Sequence, residues 1–252
     1  MNQTNEWWHE FFPVFRPMFG LMPARATRAT VRYVVEKLGL KKGKTFLDCP
    51  SGYGRIAIPL ARRGIKVTGV DITQSYLDEL DRTARRHKLP IRTQHNDMRR
   101  IRFDKEFDAA ANLWTSFGYF EKETDNVLTL KKMFKALKPG GRFMLHVINR
   151  DWIMANYRPN GWQECGDVKA LETRHFEFET SINRGIWTFI KDGREKTVHG
   201  DIRMYSYHEL IAMFKSVGFV DIQGYGSVKD EPIDQNRMMM YVIGTRPKRR
   251  RS

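Results

Sequence analysis

Cysteine is scarce: Cys49 and Cys165 are the only two in 252 residues. Two thiols are too few for a disulfide framework or a thiolate metal site, and they suit a reducing compartment. No apolar run reaches the roughly 18 residues that a membrane span needs, and no basic, apolar, small-residue leader opens the chain. A soluble, cytoplasmic protein without a membrane partner is the expectation. Repeats and low-complexity tracts are missing too, which removes solenoids and disordered scaffolds. Acidic residues are in the minority, with 29 Asp and Glu against 44 Lys and Arg, for a net charge of +15. Such a surplus favours encounter with nucleic acid or other anions without choosing among them. Much of it falls between Arg82 and Lys105 and in the tail Lys248 to Arg251, where solvated faces are the simpler account.

What is present centres on Lys44 to Thr73, KTFLDCPSGYGRIAIPLARRGIKVTGVDIT. A short apolar run ends in Asp48, a loop carries Gly52 and Gly54, a helical segment follows, and a second apolar run ends in Asp71. Glycines just after a strand let the backbone turn and approach a ligand closely. An acid ending the second strand can accept bonds from two ribose hydroxyls, so Asp71 points to a nucleoside. A dinucleotide loop needs a third glycine where this chain has Ala57. Asp48 at the loop mouth would also repel a phosphate and attract an ammonium group. A ligand with a ribose, a cationic amino-acid end and no phosphate fits: S-adenosylmethionine.

On these residues the stretch resembles the first two motifs of class I S-adenosylmethionine-dependent methyltransferases, which place an acid, three residues, Gly, any residue, Gly, and a second acid after the next strand. Asp48, Gly52, Gly54 and Asp71 match, and Pro50 stands where a further glycine is usual. The resemblance implies an α/β fold: a Rossmann-like, seven-stranded, mostly parallel sheet with helices on both faces. It also implies cofactor contacts from Asp48, Ser51, Gly52, Gly54, Asp71, Ile72, Asp97, Met98, Asn112 and Leu113. Asp97 follows a weak strand, Ile91 to Asn96, and in the family such an acid bonds the adenine amine. Asn112-Leu113-Trp114-Thr115 matches neither the Asn/Asp-Pro-Pro-Tyr run of amino-group DNA methyltransferases nor the Pro-Cys of cytosine carbon-5 enzymes. Ser116 to Phe120 resembles the serine, glycine, tyrosine run of bacterial small-molecule methyltransferases, amino-sugar N-methyltransferases among them.

The rest of the chain is expected to complete one domain, 1–252: an N-terminal helical lid (1–40), a cofactor-binding core (41–148), a β insertion over the active site (149–205), sheet completion (206–246) and a basic tail (247–252). Residues 5 to 23 are aromatic and broken by Pro13, Pro17 and Pro23, with a helix from Asn5 to Phe12. Helices are expected over 26–38, 55–63 (starting late or kinked at Pro59), 75–87 and 124–137, the last ending at Pro139-Gly140-Gly141. In the insertion, alternation predicts antiparallel strands 175–180, 185–190 and 196–205, turning at Asn183-Arg184-Gly185 and Lys191-Asp192-Gly193. Ser206 to Glu209 reads as a capping box.

Tyr119 and His146 are the candidate catalytic residues, the first lining the methyl-transfer pocket and the second a general base. Trp114, Arg150, Trp152 and His199 are the candidate substrate contacts, with Tyr157, Trp162 and Arg203 weaker ones. No metal is expected. The reading is methyl transfer to a nitrogen, oxygen or carbon of a small molecule, leaving S-adenosyl-L-homocysteine. An RNA methyltransferase and a non-catalytic S-adenosylmethionine-binding protein stay open as alternatives, and the oligomeric state is open.

Overall fold

The computed structural model describes residues 6–248, so Asn5 and all of the basic tail beyond Lys248 lie outside the described residues. A seven-stranded sheet is built from β1 (Thr45–Asp48), β2 (Lys66–Asp71), β3 (Ile91–His95), β4 (Phe107–Asn112), β5 (Leu137–Ile148), β11 (Val220–Tyr225) and β12 (Met239–Thr245). Its order is β11-β12-β5-β4-β1-β2-β3, and β12 alone runs antiparallel to its two neighbours. The expected Rossmann-like, mostly parallel sheet is therefore present.

Successive side chains on a strand point to opposite faces, and the core divides accordingly. Leu47, Leu145 and Val147 pack on one face with Leu130, Met133 and Phe214, carried by α5 (Glu123–Ala136) and α7 (Tyr207–Val217). Phe46, Val67 and Met144 pack on the other with Val31, Val34, Leu60 and Leu80, carried by α2 (Ala24–Lys37), α3 (Ala57–Ala61) and α4 (Gln74–Arg86). α3 starts late, two residues before Pro59, which places the proline in its first turn where no backbone donor is lost. The capping box forms as read, with the Glu209 amide donating to Ser206 Oγ and the Ser206 amide to Glu209.

Three expectations shift. The N-terminal helix α1 runs Trp8–Phe15 with Pro13 inside it, continued by a 3-10 turn, Arg16–Leu21. β5 begins at Leu137, so the Pro139-Gly140-Gly141 turn lies within a long irregular strand. The insertion holds a short helix, α6 (Arg150–Ala155), and five strands: β6 (Asn160–Cys165), β7 (Val168–Glu177), β8 (Ile182–Lys191), β9 (Arg194–His199) and β10 (Ile202–Arg203). Asp192-Gly193 makes the expected tight turn, with positive φ at both residues. Asn183-Arg184-Gly185 lies inside β8, and the chain reverses earlier, over 178–181. Gly185 pairs with Arg174 within the strand, and a backbone approaches it closely: a Cβ there would lie 3.0 Å from the Gly200 carbonyl oxygen.

β9 and β10 line the same edge of β8 in succession, and all pairings in this second sheet are antiparallel. Its inward face, through Val168, Ala170, Phe189 and Val198, packs on Trp7, Trp8 and Phe11 of the N-terminal segment. Segment and insertion thus close over the carboxyl ends of the parallel strands, where ligands of open α/β sheets bind.

Candidate active site

A cavity of about 380 Å³ opens where β1, β2 and β4 end. Ten of the residues singled out from sequence line it: Asp48, Ser51, Gly52, Asp71, Ile72, Asp97, Met98, Leu113, Trp114 and Tyr119. The loop after β1 passes through a cis Cys49–Pro50 bond. Gly52 and Gly54 both take positive φ, +54° and +92°. Gly54 does not line the cavity; its role is close packing, since a Cβ there would lie 2.3 Å from Leu80 Cδ1.

The three acids of the site differ in what they already hold. Asp71 accepts the Gly52 amide at 2.7 Å on Oδ2 and the Thr73 amide at 2.8 Å on Oδ1, tying the glycine loop to the end of β2. Burial raises its pKa against those bonds. Asp97 is gripped by Arg99, whose Nε lies 2.9 Å from Oδ2 and whose backbone amide donates at 2.7 Å to Oδ1. The same guanidinium reaches Glu6 and Asp125, an ionic cluster that joins lid, β3 end and α5. Asp48 is 2 % exposed, and its Oδ2 accepts no bond. Desolvation, reinforced by the Asp71 charge, pushes its pKa up to about 8, while Arg55 opposes the shift.

Arg55 escaped the sequence reading. Its guanidinium lies 3.5 Å from the centre of the Trp114 ring and donates to Met22 Sδ, and among the described residues it meets no carboxylate at ion-pair distance. Desolvation lowers its pKa to about 10. A half-buried cation beside a buried acid is complementary to a zwitterion.

At the end of β4 the chain passes through two left-handed non-glycine residues, Trp114 (φ +63°) and Thr115 (φ +58°). Each costs about 1–2 kcal/mol and is held by its surroundings. The Trp114 amide donates to His146 Nδ1 at 3.3 Å, the Thr115 amide donates to the His146 carbonyl at 2.9 Å, and Thr115 Oγ1 accepts the Ile148 amide at 3.1 Å. This corrects the expectation for His146. Its ring is buried, stacked 4.1 Å from Tyr241, and does not line the cavity; desolvation lowers its pKa to about 3. Its Nδ1 lone pair already holds Trp114, so the imidazole positions the turn and has no basic nitrogen to offer a substrate.

Tyr119 faces the cavity as expected, 5.0 Å from the Trp7 ring and 5.7 Å from Phe12, and burial raises its pKa so that the phenol keeps its proton at neutral pH. Asn112 sits behind the wall: its Nδ2 donates to the Ser116 carbonyl at 3.1 Å. Arg150 and Trp152 lie on α6 and His199 is exposed at the end of β9, all outside the cavity; Tyr157, Trp162 and Arg203 do not line it either. The insertion contributes Glu172, Asn183, Trp187, Gly200 and Ile202 instead. Sequence alternation could have flagged Glu172, which with Arg174 interrupts the inward row Val168, Ala170, Glu172, Arg174, Phe176.

The N-terminal segment covers one side of the cavity. Trp7, Trp8, Phe11, Phe12, Phe15 and Phe19 all line the cavity. It is fastened by Tyr76 donating its hydroxyl proton to the Phe12 carbonyl, by Arg16 on Glu79 at 2.7 Å, and by Arg16 lying 3.8 Å from the Tyr53 ring centre. Among the described residues no group of three or more His, Cys, Asp or Glu could hold a metal, and no helix is long and apolar enough to cross a membrane.

The family model described as "Methyltransferase domain" matches residues 46–141. The chain is 35% identical over 192 residues to the "Putative methyltransferase YqeM" of Bacillus subtilis, covering 71% of this chain and 74% of that one. Among solved structures, an S-adenosylmethionine-dependent methyltransferase from Clostridium acetobutylicum superposes with a TM-score of 0.79 at 16% identity, over 95% of this chain and 99% of that one. CalS10, an amino pentose methyltransferase from Micromonospora echinaspora solved with S-adenosylmethionine bound, superposes with a TM-score of 0.65 at 19% identity, over 94% and 98%. At these identities the two structures share the fold.

Proposed function

The chain belongs to the class I S-adenosylmethionine-dependent methyltransferases, and on that premise we propose that it methylates a nitrogen, oxygen or carbon of a small molecule enclosed in the cavity described above. The observation that carries this reading is the buried, unpartnered Asp48 carboxylate oxygen in the same cavity as Asp71, Gly52 and Asp97. Asp48 would hold the ammonium of the donor's amino-acid end, and Arg55 its carboxylate. The remaining lone pairs of Asp71 would accept the ribose hydroxyls. Asp97, fixed by Arg99, would accept the adenine amine, with Ile72, Met98 and Leu113 against the ring.

S-adenosylmethionine would supply a methyl group already activated on a sulfonium, which the nucleophile would take in line as the carbon–sulfur bond breaks and S-adenosylhomocysteine leaves. What the chain adds is orientation, since bringing a neutral nucleophile into line supplies much of the rate in such transfers. The aromatic lid excludes water, and Tyr119 lines the transfer site with its proton in place. A cytoplasmic location fits the two free cysteines. Nucleic acid remains the less favoured acceptor, suggested by the net charge of +15 alone; an RNA affinity falling steeply with salt would support it.

Titration calorimetry with S-adenosylhomocysteine and with NAD tests the cofactor reading. Binding of the first and none of the second is expected, weakened at least tenfold in Asp71→Ala, which strips both the ribose contact and the loop anchor. If the sulfur compound does not bind, the reading falls.

A further inference from the structure

The inward rows of the second sheet are apolar except at a few positions. β7 presents Val168, Ala170, Glu172, Arg174 and Phe176, and β8 presents Asn183, Gly185, Trp187 and Phe189. Glu172 is 9 % exposed and Asn183 8 %, and both line the cavity. Polar groups are expensive in such a row unless their bonds are met. Glu172 spends one oxygen on Arg174, and among the described residues Oε1 accepts nothing. Asn183 leaves its Oδ1 buried with no partner. Each therefore has hydrogen-bonding capacity that the fold does not use.

Their placement is set by register. Glu172 stands directly across from Trp187, which brings their side chains to about 5 Å at the Cβ atoms. Asn183 is opposite Phe176, four positions along the same face, or roughly 13 Å. The Trp187 ring also meets Phe11 of the lid at 5.8 Å. A flat indole beside a carboxylate, with a second acceptor further along, suits a ring-sized molecule that donates hydrogen bonds. Negative charge on that molecule would meet Glu172.

We propose that Glu172, Asn183 and Trp187 form the acceptor subsite, and that it selects a ring-sized acceptor carrying an amine or hydroxyl donor toward Glu172 and a second polar group toward Asn183. The proposal rests on the methyltransferase reading of the cavity and adds the chemical class of its substrate. Glu172 and Asn183 are specificity residues, and the methyl donor does not depend on them.

The test uses the full chain saturated with S-adenosylhomocysteine and three probes at millimolar concentration: trans-4-aminocyclohexanol, cyclohexylamine and cyclohexanecarboxylate. Binding is followed by ligand-observed NMR. The aminocyclohexanol should bind at least about tenfold more tightly than the carboxylate, the value of one charge-assisted hydrogen bond. Glu172→Gln should erase most of that preference. Asn183→Leu should erase the smaller preference for aminocyclohexanol over cyclohexylamine, and both variants should bind S-adenosylhomocysteine as the parent does. Equal or tighter binding of the carboxylate, preferences unchanged in both variants, or no binding of any probe to the saturated protein would overturn the proposal. Failure of S-adenosylhomocysteine itself to bind is a separate result that removes the cofactor reading beneath it.

Discussion

Asp48 makes cofactor affinity a function of pH. Its carboxyl, held near a pKa of about 8 by burial and by the Asp71 charge, is largely protonated at neutrality, yet an ammonium group is attracted only by the ionised form. Binding must therefore drive a proton off, and affinity rises with pH until the free protein's own acid has ionised. Two pH steps below the pKa, at about pH 6, roughly one molecule in a hundred has the acid ionised, which costs about 2.7 kcal/mol of binding relative to the plateau. Calorimetry with S-adenosylhomocysteine should show a dissociation constant falling close to tenfold per unit from about pH 6 to 8 and then levelling, with nearly one proton released at the low end.

Asp48→Asn keeps the shape and removes the titration. It should bind more weakly at high pH and show no slope. Stability should move the opposite way. A carboxyl whose folded pKa lies above its unfolded value binds more protons in the folded state, so the parent loses stability as pH rises from about 4 to 8. The variant has no such penalty and should be more stable than the ligand-free parent at about pH 8, by a few kcal/mol at most, and melt at a higher temperature. Affinity that is flat across the range in the parent would refute the assignment of the ammonium to Asp48.

Two further outcomes follow from other positions. Arg55→Met should weaken S-adenosylhomocysteine by about 1.5–3 kcal/mol, the range for a hydrogen bond to a charged group, and leave 5′-methylthioadenosine, which lacks the amino-acid end, unaffected; equal losses for both ligands would place Arg55 elsewhere. Gly118→Ala should loosen the insertion, because φ is +93° and a Cβ there would lie 2.2 Å from the Arg203 carbonyl oxygen, where the Arg203 amide now donates to Gly118 at 2.7 Å. A stability loss of about 2 kcal/mol or more is expected, with protease cleavage appearing first within 149–205, and an unchanged melting temperature would contradict it.

The cofactor half of the site was legible because its information is local. Asp48, Gly52, Gly54 and Asp71 fall within one strand-loop-helix-strand unit whose glycines and terminal acids have fixed jobs. Arg55 lies in the same unit but looks like an ordinary helix-start residue; only the packing of Trp114 on its guanidinium shows where it points. The acceptor half depends on closure between distant segments, Trp187 against Phe11 and Phe120 against Trp8, and no periodicity carries that. Asn183-Arg184-Gly185 has turn chemistry, yet β8 runs through it because β7 pairs along its whole length, a long-range fact. His146 stood out as a histidine in an apolar strand; what it holds, a left-handed turn 32 residues earlier, is a tertiary fact.

The polar groups around this cavity differ in how much bonding capacity they leave unused. Asp71 and Asp97 are both engaged, one by the Gly52 and Thr73 amides and the other by Arg99, so their geometry is fixed before any ligand arrives and only spare lone pairs are offered. The His146 Nδ1 lone pair accepts the Trp114 amide, and its ring lies behind the cavity wall. By contrast Asp48 Oδ2, Asn183 Oδ1 and the indole nitrogens of Trp7 and Trp114 are buried, border the cavity and have no partner. A fold gains nothing from such groups, since each costs about 1–3 kcal/mol when left unmet. These four lie on residues that line one aromatic chamber, which supports the two sets of contacts proposed above: the amino-acid end of the donor at Asp48 and Arg55, and the acceptor along Glu172, Trp187 and Asn183.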